Sequence, residues 1–277
     1  MKNRFFRRAI QGTLAGVIAF TIAGASEAQQ WVSRHGMTSA QYQSWFDTYK
    51  GQGYRLTDVD AYSVNGKGYY AAIWSKSGGG AWVARHGLQA PAYQQTFDNL
   101  TAKGYAPIFI DAMSRGSGLF AGFWQKTGGA WVARHGMSGQ SYQQEFNAWV
   151  GKGYRLVDVS GYAVSGQARY AAIWKKQGGS AWQARHGMTS ASYQQTFDAM
   201  KAQGYRPVHV DGYTVNGTPY FAAIWDKGRG SWVARHNMSS SQYQSEFDKW
   251  VAQGYRLVDV SGYESGGKAR YAAIWHR

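Results

Sequence analysis

The segment Trp-Val-Ala-Arg-His-Gly recurs with small changes at Trp31, Trp82, Trp131, Trp182 and Trp232. Each copy opens a stretch of about fifty residues that closes on Ala-Ala-Ile-Trp or a near variant, at Trp74, Trp124, Trp174, Trp225 and Trp275. A fixed period of this length means one supersecondary unit used five times, since a unit so small cannot bury its apolar face alone. The repetition also constrains function. A residue present in every copy is framework, or one site of a multivalent surface, whereas a catalytic site is built once.

The third unit shows the local logic. Trp131-Val-Ala-Arg-His135 alternates as a strand, with Trp131, Ala133 and His135 on one face and Val132 and Arg134 on the other, and Gly136 is expected to break it. Ser138 stands where a helix N-cap belongs, as do Thr38, Thr189 and Ser239, while the second unit has Gln89 there and Pro91 early in its helix. Tyr142, Phe146 and Trp149 share one helical face, and Gly153 ends the helix, as Gly53, Gly104, Gly204 and Gly254 do elsewhere. A second strand from Tyr154, a turn at Ser165-Gly166 and a third strand ending at Trp174 complete a β-α-β-β unit. The Gly-rich links, such as Ser77 to Gly80, are expected to return the chain as an antiparallel hairpin into the next unit's first strand.

Odd and even units differ. Arg55-Leu56, Arg155-Leu156 and Arg256-Leu257 are followed by Asp58, Asp158 and Asp259, whereas the even units carry Pro107 and Pro207 with Phe109 and His209. Such alternation argues against five equivalent positions. The expected fold class is α+β, an open curved array of five β-α-β-β repeats with unequal ends, at 30–79, 80–129, 130–179, 180–230 and 231–277. The opening and closing Trp residues are expected in its core. Most aromatic residues belong to that framework; Trp45 is the foremost of those left over as a contact candidate.

Lys2, Arg4, Arg7 and Arg8 precede an uncharged stretch from Ala9 to Gly24, and Ser26-Glu27-Ala28 follows. This is the pattern of a secretory signal peptide over 1–28, so the chain is expected to be exported, to the periplasm or beyond. There is no cysteine, so stability rests on packed repeats instead of disulfides. Of 30 Lys and Arg against 15 Asp and Glu, 26 and 14 lie beyond residue 28, a net charge of +12 that favours anionic partners.

The repeated words, Trp-Val-Ala-Arg-His-Gly-Met, Tyr-Gln-x-x-Phe-Asp, Gly-Tyr-Arg-Leu-Val-Asp-Val and Tyr-Ala-Ala-Ile-Trp, resemble the bacterial tandem repeat in the N-domain of polyglycine hydrolases. The resemblance runs from Gln30 to Arg277 and implies a half-barrel-like array of α+β repeats. In those hydrolases the array is joined to a β-lactamase-like serine hydrolase domain. No such domain is expected in this chain, and the single Ser-x-x-Lys, Ser265 to Lys268, falls in a predicted turn.

The chemistry-bearing repeat is Arg-His: Arg34-His35, Arg85-His86, Arg134-His135, Arg185-His186 and Arg235-His236. One reading is structural, with a buried Arg bonded within the protein and His on backbone near the helix start. The other is a repeated anion- or glycan-binding pocket, since guanidinium holds carboxylate or phosphate bidentately. Asp58, Asp158 and Asp259 are expected to pair with framework Arg across strands, and His209 reads as a local substitution. No spacing suggests a metal or cofactor site, a triad or a nucleic-acid motif. These readings converge on a secreted, non-catalytic module that binds an extracellular polymer, either cell-surface polysaccharide or extended peptide. The alternative is an accessory scaffold for a separately encoded serine hydrolase.

Overall fold

The computed structural model describes residues 30–277; the expected signal peptide lies outside them. In the first unit, β1 (Trp31–Met37), α1 (Ser39–Gly51), β2 (Arg55–Val64) and β3 (Lys67–Ser75) follow one another. The second has β4 (Trp82–Gln89), α2 (Ala90–Ala102), β5 (Ala106–Met113) and β6 (Leu119–Gln125). The third has β7 (Trp131–Met137), α3 (Gly139–Gly151), β8 (Arg155–Val164) and β9 (Gln167–Lys175). The fourth has β10 (Trp182–Thr189), α4 (Ser190–Ala202), β11 (Arg206–Val215) and β12 (Thr218–Asp226). The fifth has β13 (Trp232–Met238), α5 (Ser240–Ala252), β14 (Arg256–Ser265) and β15 (Lys268–His276). The fold is thus α+β, five β-α-β-β repeats.

Local signals account for these elements. Thr38, Ser138, Thr189 and Ser239 each accept the amide proton three residues on, and Gln89 makes no side-chain cap. The glycine after each helix has φ between 76° and 82°, a left-handed conformation that ends the helix. Asn65-Gly66, Ser165-Gly166 and Asn216-Gly217 turn with both residues at positive φ. Ser265 and Lys268 face one another across the last such turn, so their spacing is that of a hairpin.

Each unit forms its own three-stranded sheet in the order β1-β3-β2. The closing strand sits in the middle with both edges occupied, so the expected hairpin across unit boundaries does not form. Instead the link begins by continuing the unit's own ladder, as where the Lys76 amide donates to the Gln30 carbonyl at 2.7 Å. Gly136, expected to end its strand, sits at φ 70° in a bulge after which the strand resumes at Met137.

No unit has a core to itself. One apolar cluster joins units one and two through Leu56, Trp74 and Phe123, and further clusters join two with three, three with four, and four with five. A fifth joins unit five to unit one: Tyr243, Leu257, Tyr271 and Trp275 pack with Tyr62, Ala71 and Ile73. The strand hydrogen-bond ladders stay inside the units, so no barrel closes. The expected free ends are nonetheless absent, because units one and five meet as the other neighbours do. The array is open in its ladders and continuous in its packing. The closing Trp residues are all 0–1% exposed, but the opening ones, Trp131 among them, are only half-buried.

Candidate functional site

Each inner strand carries a bulge just after its Leu or Pro. In β2 the register slips between Leu56 and Asp58, leaving Thr57 as the extra residue. Side-chain alternation therefore reverses there. Leu56, Val59 and Ala61 face the core shared with unit two, while Tyr62 packs into the core shared with unit five. Asp58 and Asp60 turn inward with Tyr62. Together with Asp111, Asp158, His209, Asp211 and Asp259 they line a narrow axial cavity.

What holds these acids is the unpaired edge of each inner strand. Its amides have no ladder partner, and the next unit's side chains supply one. Val260 donates to Asp58, Gly262 to Asp60, Ile110 to Asp158, Ala112 to Ser160, Gly161 to Asp211, Val210 to Asp259 and Gly212 to Ser261, at 2.6–3.1 Å. Ala61 donates likewise to Asp111. The pattern runs through the junction of units five and one, which is the strongest evidence that the array returns on itself. The expected Arg partners of Asp58, Asp158 and Asp259 are therefore not found; the bulge has turned these carboxylates to the axis.

Burial governs their protonation. It pushes Asp158 up to about 7, with His209 opposing, and Asp111 up to about 6 against the hydrogen bond from Ser160. Asp60 and Asp211 are raised well above the usual carboxylate range by burial and by the Asp111 charge. Five units in a ring place two odd ones side by side, so Asp58 is raised by burial and by Asp259. His209 answers this. Its Nδ1 lies 2.8 Å from the Asp259 carboxylate and its Nε2 lies 2.8 Å from the Val159 carbonyl. With two acceptors it must donate from both nitrogens, and although burial opposes the charge, Asp259 holds its pKa well above the ordinary value. Read as a local substitution in the sequence, His209 is the cation that sits among the axial acids.

Asp60, Asp111 and Asp211 also bring one carboxylate oxygen each within 4.8 Å of one another, a hard-oxygen set that can hold a cation. Sequence spacing missed it because the three come from separate units. The available signal was the Asp shared by units one, two and four, where Ser160 and Ser261 stand in the others. Above this layer the axis widens into a funnel of about 320 Å³ lined by Tyr62, Tyr213, Tyr263, Ser114, Thr214 and Glu264 among others. The tyrosines seal the seams so closely that a Cβ on Gly212 would lie 2.4 Å from the Tyr263 ring.

The Arg-His pairs lie away from the axis, and their two side chains part company. Each His packs edge-on against the helix tyrosine of the preceding unit: His35 on Tyr243, His86 on Tyr42, His135 on Tyr93, His186 on Tyr142 and His236 on Tyr193, at 4.5–5.0 Å. Its contact near a helix start is with the preceding unit's helix and not its own: with side chains for His35 on Ser240 and His86 on Ser39, and with the Gly139 backbone, as expected, for His186. Burial lowers all five pKa values, His35 to about 4 with help from Arg34, so these rings are neutral seam fillers.

The Arg residues are not buried as expected. Arg85, Arg134, Arg185 and Arg235 are exposed and Arg34 is half-buried. Each is bonded within the protein as expected, donating from Nη1 to the carbonyl of the residue before it at 2.7–3.3 Å, and beyond that has only what its own helix offers. Arg134 meets Glu145 at 3.4 Å and Arg235 meets Glu246 at 3.2 Å, while Arg34 lies 4.5 Å over Trp45. That stacking accounts for Trp45. Surface grooves open beside two of the pairs, about 370 Å³ at Arg235 and about 340 Å³ at Arg185.

A family model described as polyglycine hydrolase-like, structural repeat, matches residues 28–77, 79–127, 128–177, 179–228 and 229–277. No curated protein matches the chain.

Proposed function

Because this chain belongs to the polyglycine hydrolase-like structural repeat family, we propose that it is an exported, non-catalytic ring of repeats that binds an anionic extracellular polymer. The observation that carries this reading is the segregation of charge. Of the 14 acids beyond residue 28, six lie on the axis, where backbone amides engage all of them. Eight remain to face 26 Lys and Arg, so the outer surface is far more basic than the net charge of +12 suggests. Repeated weak contacts around a ring gain strength on a repetitive polymer. The recurrence of every Arg-His pair supports a non-catalytic role, since each His fills its seam in the same way, against the preceding unit's helix tyrosine.

Binding of the protein to an immobilised acidic polysaccharide is expected to weaken by about tenfold or more between about 0.05 and 0.5 M salt, as the screening length falls below about 5 Å. Affinity unchanged across that range would remove charge as the cause. A second reading, a scaffold that docks a separately encoded hydrolase, is favoured by the family's description as a structural repeat. It predicts no affinity for the polymer at any salt.

A further inference from the structure

The five seams are built alike but are not charged alike. Each is bordered by an Arg, by a residue on that Arg's own helix, and by a residue on the preceding helix. The preceding helices present Asp47, Asp98, Asp198 and Asp248, each held by a Gln four residues earlier. Unit three alone presents an amide, Asn147, held by Gln143 at 2.9 Å. On the Arg's own helix, Glu145 and Glu246 neutralise Arg134 and Arg235, but the units of Arg85 and Arg185 carry Thr96 and Thr196 at the equivalent position. Only the seam between units three and four lacks a carboxylate at both places. Asp47, Asp98 and Asp198 act electrostatically on His86, His135 and His236, whereas no acid acts on His186 or, despite Asp248 at its seam, on His35.

We propose that this seam, centred on Arg185, binds a carboxylate-bearing sugar of an acidic polysaccharide. The proposal rests on the polymer-binding reading above and assigns it a place. The groove there holds about 340 Å³ between Tyr142, Gln143 and Phe146 of α3 and Ala184, Arg185 and His186 of β10. Arg185 is exposed and has no ion pair among the described residues. Its Nη1 donates to the Ala184 carbonyl at 2.7 Å and to Gln183 at 3.2 Å, which fixes the guanidinium and leaves its other nitrogens for a ligand. Gln183 stands where the other units have Val. Gln183 contacts the cation, and Gln143, bonded to Asn147, lines the groove, so neutral amides suited to hydroxyls stand where other seams have an acid. Half-buried Phe146, set edge-on to Trp182 at 5.7–5.8 Å like its counterparts, gives an apolar floor for a sugar face. The contrast at Arg235 is in the guanidinium and not in the groove: Glu246 already occupies that cation, and the groove beside it runs between β13 and α5 of the same unit.

The probe is a galacturonic acid hexamer, with its methyl ester as the uncharged comparator and an acidic peptide of equal charge as the alternative class. Calorimetry is expected to show binding of the hexamer to the wild-type protein, little to the ester, and loss of about tenfold or more in Arg185→Gln. The pair Asn147→Asp with Thr196→Glu, which installs residues the other units carry and so folds, is expected to lose as much. Lys103→Gln, an equal loss of charge on α2's exposed C-cap, is expected to bind within about twofold of wild type. Salt-sensitive binding that survives equally in Arg185→Gln and in the double variant would overturn this site while leaving the polymer reading standing. Tighter binding of the acidic peptide would overturn the sugar assignment. Failure of the wild type to bind any of the charged probes would remove both.

Discussion

Trp174→Ala is expected to destabilise the protein by about 3–5 kcal/mol, the range for emptying a buried aromatic site. Trp174 is fully buried, packs 6.1 Å from the Tyr142 ring, and belongs to the core that units three and four share with Ala222 and Ile224. Its indole N–H has no hydrogen-bond partner in the structure, so the loss is one of packing, and Trp174→Phe is expected to lose much less. Since the cavity opens at a seam, both units lose support and unfolding should remain one transition. Chemical denaturation followed by Trp fluorescence measures this. An unchanged midpoint, or a separate early transition confined to one unit, would contradict a core shared between units. Trp131, half-buried at the edge of Phe97, should be markedly less sensitive.

His209→Ala is expected to lose about 3–5 kcal/mol near pH 6, because it leaves Asp259 without its partner in an enclosed site. The pH dependence gives a sharper signature. A His whose folded pKa is raised stabilises the fold fully below its unfolded value near 6.5, and that contribution disappears as pH climbs through the folded value. The gap between wild type and His209→Ala should therefore be widest at pH 6 and should shrink on the alkaline side of pH 7. The seam histidines, whose shifts run the opposite way, are present in both proteins and cancel in the difference, whereas the axial acids that His209 lowers, Asp158 and Asp111 among them, rise in the variant and reduce the shrinkage. Equal gaps at pH 6 and pH 9 would mean that His209 carries no charge in the fold.

The units were legible because their signals are local. Ser138 caps its helix, Gly153 stops it, and Ser165-Gly166 turns the hairpin, all within a few residues of what they act on. The seams were not legible, because they join residues about 50 positions apart or, at the closure, 202 apart for Val260 with Asp58. Strict alternation placed Asp58 beside Leu56; one bulged residue, Thr57, reversed the face and carried the acid to the axis. Arg burial failed for the same reason, since the acids meant to receive those guanidiniums had been turned away. The alternation of units was read correctly, but its consequence was not free ends. The junction of two odd units is accommodated by raising the Asp58 pKa and by placing His209 beside Asp259. The departures Gln183, Asn147 and Thr196 were visible as letters, but only the structure shows that Gln183 contacts Arg185 and that Asn147 bonds Gln143 of the groove beside it.

Closure of the array requires unit five to meet unit one at a seam like the other four. Amide hydrogen exchange at Val260 and Gly262 tests it most directly. These amides lie on the free edge of β14, away from β15, and their acceptors are the Asp58 and Asp60 carboxylates of the first unit, at 3.1 and 2.7 Å. The account predicts protection comparable to that of Val210 and Gly212, whose acceptors Asp259 and Ser261 lie across an ordinary seam. It further predicts that Asp60→Ala removes the protection at Gly262. Exchange of Val260 and Gly262 at unprotected rates in the wild-type protein, with Val210 and Gly212 still slow, would show an array whose ends do not meet.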